Sequence, residues 1–114
     1  MPYLKLLSNE ELLHADQLIS KASKLVAEIL GKPEKYVMVS LHEKQQMFFS
    51  GNDKPMFFCE LKSIGLPLNH TKEISKKLTE FLSDETGVAH DRIYIEFADA
   101  ERNMWGWNGS TFEK

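Results

Sequence analysis

The sequence has one cysteine, Cys59, among 114 residues. An intrachain disulfide is therefore excluded, which fits a reducing compartment. The chain also lacks an excess of basic charge. Lys and Arg number 14 against 17 Asp and Glu, for a net charge of -3. With no basic stripe, this argues against a dedicated nucleic-acid binder. No apolar run is long enough to span a bilayer, so no membrane partner is expected. The first thirteen residues, MPYLKLLSNEELL, lack a basic stretch followed by an apolar one. A secretory signal is not expected, and the expected location is the cytoplasm. The four histidines, His14, His42, His70 and His90, are widely separated, and none has metal-ligand spacing. Gly31-Lys32-Pro33 lacks every other element of a phosphate loop. No metal and no cofactor is expected. Asn69-His70-Thr71 and Asn108-Gly109-Ser110 fit the glycosylation pattern, but without an export signal they read as a helix start and a turn.

What is present reads as one domain spanning residues 1–114, at 42% hydrophobic and 27% charged. The chain repeats itself. A shift of 56 positions lays the stretch from Gly31 to Val39 over that from Gly87 to Ile95. Each stretch has a glycine, a short spacer and an alternating strand. Before each glycine runs a helix pattern. Leu18, Ala22, Leu25 and Val26 lie over Ile74, Leu78, Phe81 and Leu82, the spacing of one helix face. Gly31 and Gly87 stand where a helix end needs a left-handed residue. Before each helix lies a further strand. The spacing predicts helices over 9–30 and 69–86 and strands near 2–7, 36–42, 57–64 and 92–98. The repeats cover approximately 2–44 and 57–100. The expected fold is α+β: a βαβ-βαβ pseudo-twofold repeat, with a four-stranded mixed sheet and two helices on one face. Strand 36–42 offers apolar residues to both sides, so the sheet's second face is expected to be buried by another subunit. Residues 46–49 read as a short extra strand for that contact. The aromatic tail, with Trp105, Trp107 and Phe112, is expected to pack.

Pro2 follows the initiator Met1. Removing Met1 leaves a free secondary amine, which is a base and a nucleophile. Taken alone, a Met-Pro start signifies only a processed terminus.

Five motifs change that reading. They are the Met-Pro start, Gly31-Lys32-Pro33, Ser63-Ile64-Gly65, the run from Asp91 to Ile95, and the run from Gly106 to Phe112. In order and nearly without gaps, they resemble the macrophage migration inhibitory factor family of the tautomerase superfamily. The resemblance implies a homotrimer with active sites between subunits and the N-terminal proline at the base of each. It implies keto–enol tautomerisation of aryl 2-oxo acids such as phenylpyruvate, with Pro2 as catalytic base. Such chemistry needs a base of near-neutral pKa, a donor for the enolate oxygen and an apolar wall. Burial and a nearby cation both lower an amine's pKa toward that range.

Read from the sequence, Lys32 is a solvated loop lysine. The resemblance implies that it sits beside Pro2 and clamps the substrate carboxylate. Ile64 matches a position whose backbone N–H binds substrate. Tyr94 matches a tyrosine reaching the neighbouring subunit's site, against the plainer reading of sheet packing. Tyr3, Tyr36, Lys62, Ser63 and Trp107 read as pocket support or core. Three positions depart from the mammalian pattern. Glu96 replaces an asparagine, and as a carboxylate it would raise the Pro2 pKa unless a cation such as Lys62 pairs with it. Lys62 replaces a histidine. Trp105 replaces a small aliphatic residue at the pocket rim. The family's Cys-x-x-Cys is reduced to Cys59, here a small core hydrophobe. The alternative function is a cytokine-like or host-modulating interaction protein, leaving cells by a signal-independent route and binding a protein receptor, with incidental tautomerase activity.

Overall fold

In the computed structural model, residues 1–113 are described. Strand β1 (Tyr3–Ser8) leads into helix α1 (Ala15–Leu30) and strand β2 (Met38–His42). Strand β3 (Phe57–Ile64) then leads into helix α2 (Thr71–Thr86) and strand β4 (Ile93–Ala100). A short hairpin, β5 (Gly106–Trp107) and β6 (Ser110–Thr111), closes the chain. The four long strands form one mixed sheet in the order β2-β1-β3-β4, with β1 antiparallel to β3 and parallel pairs outside. This is the expected βαβ-βαβ architecture.

The helix faces form for the reason their spacing gives. Leu18, Ala22 and Val26 of α1 and Ile74, Leu78 and Leu82 of α2 are buried, with Leu25 and Phe81 packed at the margin. They meet Leu4, Leu6, Phe57, Cys59 and Leu61 from alternate positions of β1 and β3. Both helices end at a left-handed glycine, Gly31 with φ 63° and Gly87 with φ 80°. A side chain at either position would be strained, which is why glycine terminates each helix.

Strand β2 begins two residues later than read, after a tight turn at Glu34–Tyr36, and α2 begins at Thr71 rather than residue 69; the start of α1 and the 46–49 segment differ most. Helix α1 begins at Ala15, because residues 9–14 are engaged elsewhere. The Asn9 side chain donates to the carbonyls of Asp53 and Lys54 and accepts from the Met56 amide, and the Leu12 amide donates to the Glu43 carboxylate. Residues 46–49 form no strand. Only Phe49 makes an antiparallel bridge, to Asn52, in a tight turn.

That turn is held by Arg92, a buried arginine at 8% exposure. Its guanidinium donates to the carbonyls of Phe49 at 2.7 Å, Lys54 at 2.7 Å and Pro55 at 3.3 Å. It also lies 5.0 Å from the centre of the Phe49 ring. The desolvated charge is thus met by three backbone acceptors.

The face away from the helices is striped. One row holds Met38, Tyr3, Lys62 and Ala98. The next holds Ser40, Lys5, Glu60 and Glu96, and the third His42, Leu7, Phe58 and Tyr94. The polar middle row is internally paired, with Lys5 3.8 Å from Glu60. Tyr3 Oη lies 2.6 Å from Ser40 Oγ, which lies 3.1 Å from His42 Nε2.

Two expected outcomes follow from this packing. Arg92→Met removes three charge-assisted hydrogen bonds and should cost about 2–4 kcal/mol. Arg92→Lys should recover only part of this, because one ammonium cannot reproduce the planar fork. An unchanged urea midpoint for Arg92→Met would refute the clamp. Burial pushes the Cys59 thiol up to about 12, so its thiolate is scarce at neutral pH. Iodoacetamide should modify Cys59 only at the rate of unfolding. Labelling of the native protein at the rate of a free thiol would contradict this.

Candidate functional site

Pro2 enters the sheet between β2 and β3. Its carbonyl accepts from the Met38 amide at 2.9 Å, and its side chain is fully buried. The register Tyr3↔Lys62, continued by one step, sets Pro2 beside Ser63 on β3. Ser63 is fully buried, and its hydroxyl donates to the Ile64 carbonyl. Ahead of Pro2, the Met1 amine donates to the Tyr36 carbonyl at 2.9 Å. Burial, and secondarily the Lys32 ammonium, lower this amine's pKa from its ordinary value. Both effects disfavour the charged form.

A groove of about 330 Å³ opens at this terminus. Met1, Pro2 and Tyr3 form its floor, and Lys35, Tyr36, Val37 and Met38 one wall. The other wall comes from the tail, through Trp105, Gly106, Trp107 and Phe112. Trp107 and Phe112 stack with centroids 5.6 Å apart, and both meet the Tyr36 ring edge-on, at 5.7 Å and 6.2 Å. These are favourable aromatic geometries. The tail therefore packs, as its composition led one to expect.

The tail takes this path because Asn108 and Gly109 both have positive φ, 53° and 77°. This is the turn geometry an Asn-Gly pair favours between two antiparallel strands. The Phe112 amide donates to the carbonyls of Arg102 and Trp105, and Arg102 returns a bond to the Phe112 carbonyl.

The groove gathers Pro2, Tyr3, Tyr36, Trp105 and Trp107 of the sequence candidates. Lys32 does not line it, but its charge reaches the Met1 amine. Ile64 lies apart, in the core at 5% exposure and on the edge of a second hollow with Gly65, Asp99 and Arg102. Tyr94 and Glu96 stand on β4, separated from the groove of their own chain by β3. Tyr94 and Glu96 share the sheet face away from the helices, in adjacent rows. Lys62 does not pair with Glu96: its ammonium lies 4.0 Å from Glu60 instead. The shorter register distance explains this, since Glu60 is on the same strand face as Lys62, two residues away. The Tyr94 ring is 59% exposed and leans on Phe49, with centroids 4.6 Å apart.

Sequence reasoning passed over Lys35, Val37 and Met38 as groove residues, and it placed Phe112 only in a packed tail. The signal available for Lys35 was its position next to Tyr36. Nothing local pointed to Phe49 or Arg92, whose roles arise from hydrogen bonds spanning 37 to 43 residues. A hollow of about 290 Å³ between the start of α1 and the end of α2 lacks both an amine and an aromatic wall. Among the described residues no group of side chains could hold a metal ion, and no helix is long and apolar enough to cross a membrane.

The family model for macrophage migration inhibitory factor matches residues 1–113. The macrophage migration inhibitory factor homolog of Brugia malayi is 42% identical over 97 residues, which cover 82% of this chain and 83% of that one. The factor of Xenopus tropicalis is 38% identical over 100 residues, covering 85% of each chain. The crystal structure of a homologue from Prochlorococcus marinus superimposes with a TM-score of 0.92 at 42% identity, covering 97% of this chain and 99% of that chain. With both helices, the mixed sheet and the N-terminal groove in place, the chain belongs to the macrophage migration inhibitory factor family.

Proposed function

We propose that the Met1-processed chain is a keto–enol tautomerase for aryl 2-oxo acids of the phenylpyruvate type, with the Pro2 amine as catalytic base. The observation that carries this reading is the placement of the buried Pro2 in the floor of an aromatic groove, next to a terminal amine that burial and Lys32 hold below its ordinary pKa. Once Met1 is removed, the free amine belongs to Pro2, one residue deeper in the sheet. Burial and Lys32 act on it in the same direction, so more of it is unprotonated at neutral pH. The aromatic walls accept the aryl group, and Lys32 attracts the carboxylate. The base then takes the proton from the carbon beside the keto group, and the oxygen accepts one from a nearby donor. Tyr94 supplies that donor or a wall from a neighbouring subunit, and Ile64 contributes its amide. A homotrimer assembled through the striped sheet face would bring β4 of one copy to the groove of the next. In the same assembly Glu96 opposes Lys32 by favouring the ammonium.

The names of the relatives favour a second reading, an interaction protein acting on a receptor outside the cell that made it. It predicts that biological activity survives loss of the Pro2 amine. The chain would then work in the cytoplasm as an enzyme and outside it as a ligand.

Phenylpyruvate tautomerisation should depend on the free Pro2 amine, with protein that retains Met1, and so keeps that nitrogen in an amide, showing a kcat/KM lower by about 10²-fold or more, the scale of general-base catalysis. The acid limb of the pH profile should fall below ~8, the ordinary α-amine value. Lys32→Gln should move that midpoint up, so activity is lost first at neutral pH. Glu96→Asn should move it down. A correctly processed protein with no turnover, or a midpoint indifferent to both charges, would overturn the assignment. Trp105 lines the groove, so Trp105→Val should raise KM for phenylpyruvate several-fold with kcat little changed. An unaltered KM would remove Trp105 from the substrate wall.

A further inference from the structure

The groove wall contains one cation, Lys35, and no carboxylate. Lys35 sits in a tight turn, Glu34–Tyr36, fixed by the Tyr36 amide on the Pro33 carbonyl and the Val37 amide on the Glu34 carbonyl. Its ammonium stands over the Tyr36 ring, 5.2 Å from the centroid. A cation held over an aromatic face loses part of its freedom to sweep through solvent. Among the described residues, neither Lys35 nor Lys32 is joined to a carboxylate. The two lysines occupy different stations. Lys32 acts on the terminal amine, whereas Lys35 stands in the aromatic wall with Tyr36, Trp107 and Phe112.

One carboxylate engaged near the amine cannot also satisfy a cation in the aromatic wall. A ring lying along Tyr36 and Trp107 would carry its far end toward Lys35. We propose that Lys35 forms a second anion subsite and that the groove selects aryl 2-oxo acids bearing a second acidic group on the ring. The inference rests on the tautomerase reading for the keto acid end, but the subsite itself is defined by binding. Lys35 is a specificity residue here and takes no part in proton transfer.

The chain's two tryptophans, Trp105 and Trp107, both line this groove. Their fluorescence therefore reports binding without turnover. The probes are two unreactive acids, 3-phenylpropionate and 3-(4-carboxyphenyl)propionate, titrated into the Met1-processed protein at low ionic strength. The diacid should bind about two- to five-fold more tightly, the scale of one exposed ion pair. Added salt should shrink the difference. Lys35→Gln should abolish the preference by weakening the diacid more than the monoacid, and Lys35→Arg should retain it. Lys24→Gln, which removes an exposed charge on α1, should leave the preference intact. Equal binding of the two acids, or an equal loss for both in Lys35→Gln, would overturn the subsite. Loss of the preference in Lys24→Gln would do the same, by reducing it to net charge. A preference that persists in a protein without phenylpyruvate turnover would overturn the tautomerase reading and keep the subsite. Turnover without the preference would do the reverse.

Discussion

The position of β1 governs the rest of the molecule. As the first strand it could have been an edge, with a free terminus fraying into solvent. Instead it runs down the middle of the sheet, parallel to β2 on one side and antiparallel to β3 on the other. Both rows of its backbone groups are paired, which ties the terminus into the sheet. Leu4 and Leu6 anchor it against both helices. A short flexible end would leave the amine hydrated, with an ordinary pKa. A central strand delivers it partly desolvated to a fixed place, beside a loop that carries Lys32.

Around that fixed point the two halves of the chain have different duties. The first half supplies the floor of the groove and the wall that includes Tyr36. The second half supplies β3, which flanks Pro2, and β4, whose Tyr94 and Glu96 lie beyond β3 from their own groove. The hairpin then brings Trp105 and Trp107 back across the end of the sheet to the first half. The internal symmetry of the fold is thus broken at the site, where one half has an amine and the other has a buried serine beside it.

The fold was legible because its signals are local. Two helix faces, two left-handed glycines and four alternating segments each declare themselves within a few residues, and the hairpin turn is written in Asn108-Gly109. The start of α1 was misplaced because residues 9–14 have helix-compatible side chains but spend their hydrogen bonds on the 43–56 segment. The candidate site was legible only in part. Pro2 came from the start motif, the two tryptophans from the tail, and Tyr36 from the strand after Gly31-Lys32-Pro33. Lys35 was hidden because its charge type is common on surfaces and only the groove distinguishes it. Arg92 was hidden more deeply, since its partners are backbone carbonyls and carbonyls leave no trace in a sequence.

The stripes on the open sheet face carry a consequence for assembly. Rows rich in apolar and aromatic side chains, with Lys62 in one and His42 in the other, bracket a band formed by Ser40, Lys5, Glu60 and Glu96. Successive rows on one face are two residues apart, about 7 Å along the strand. A copy laid against this face and displaced by one row would press its charged band onto leucine and phenylalanine, desolvating ions without partners. An unbroken apolar face would offer no such penalty, and copies could slide into many alignments. For copies meeting through this face, the band would act as a ruler along the strands, so the same residues that make the face less apolar would make its pairing less ambiguous.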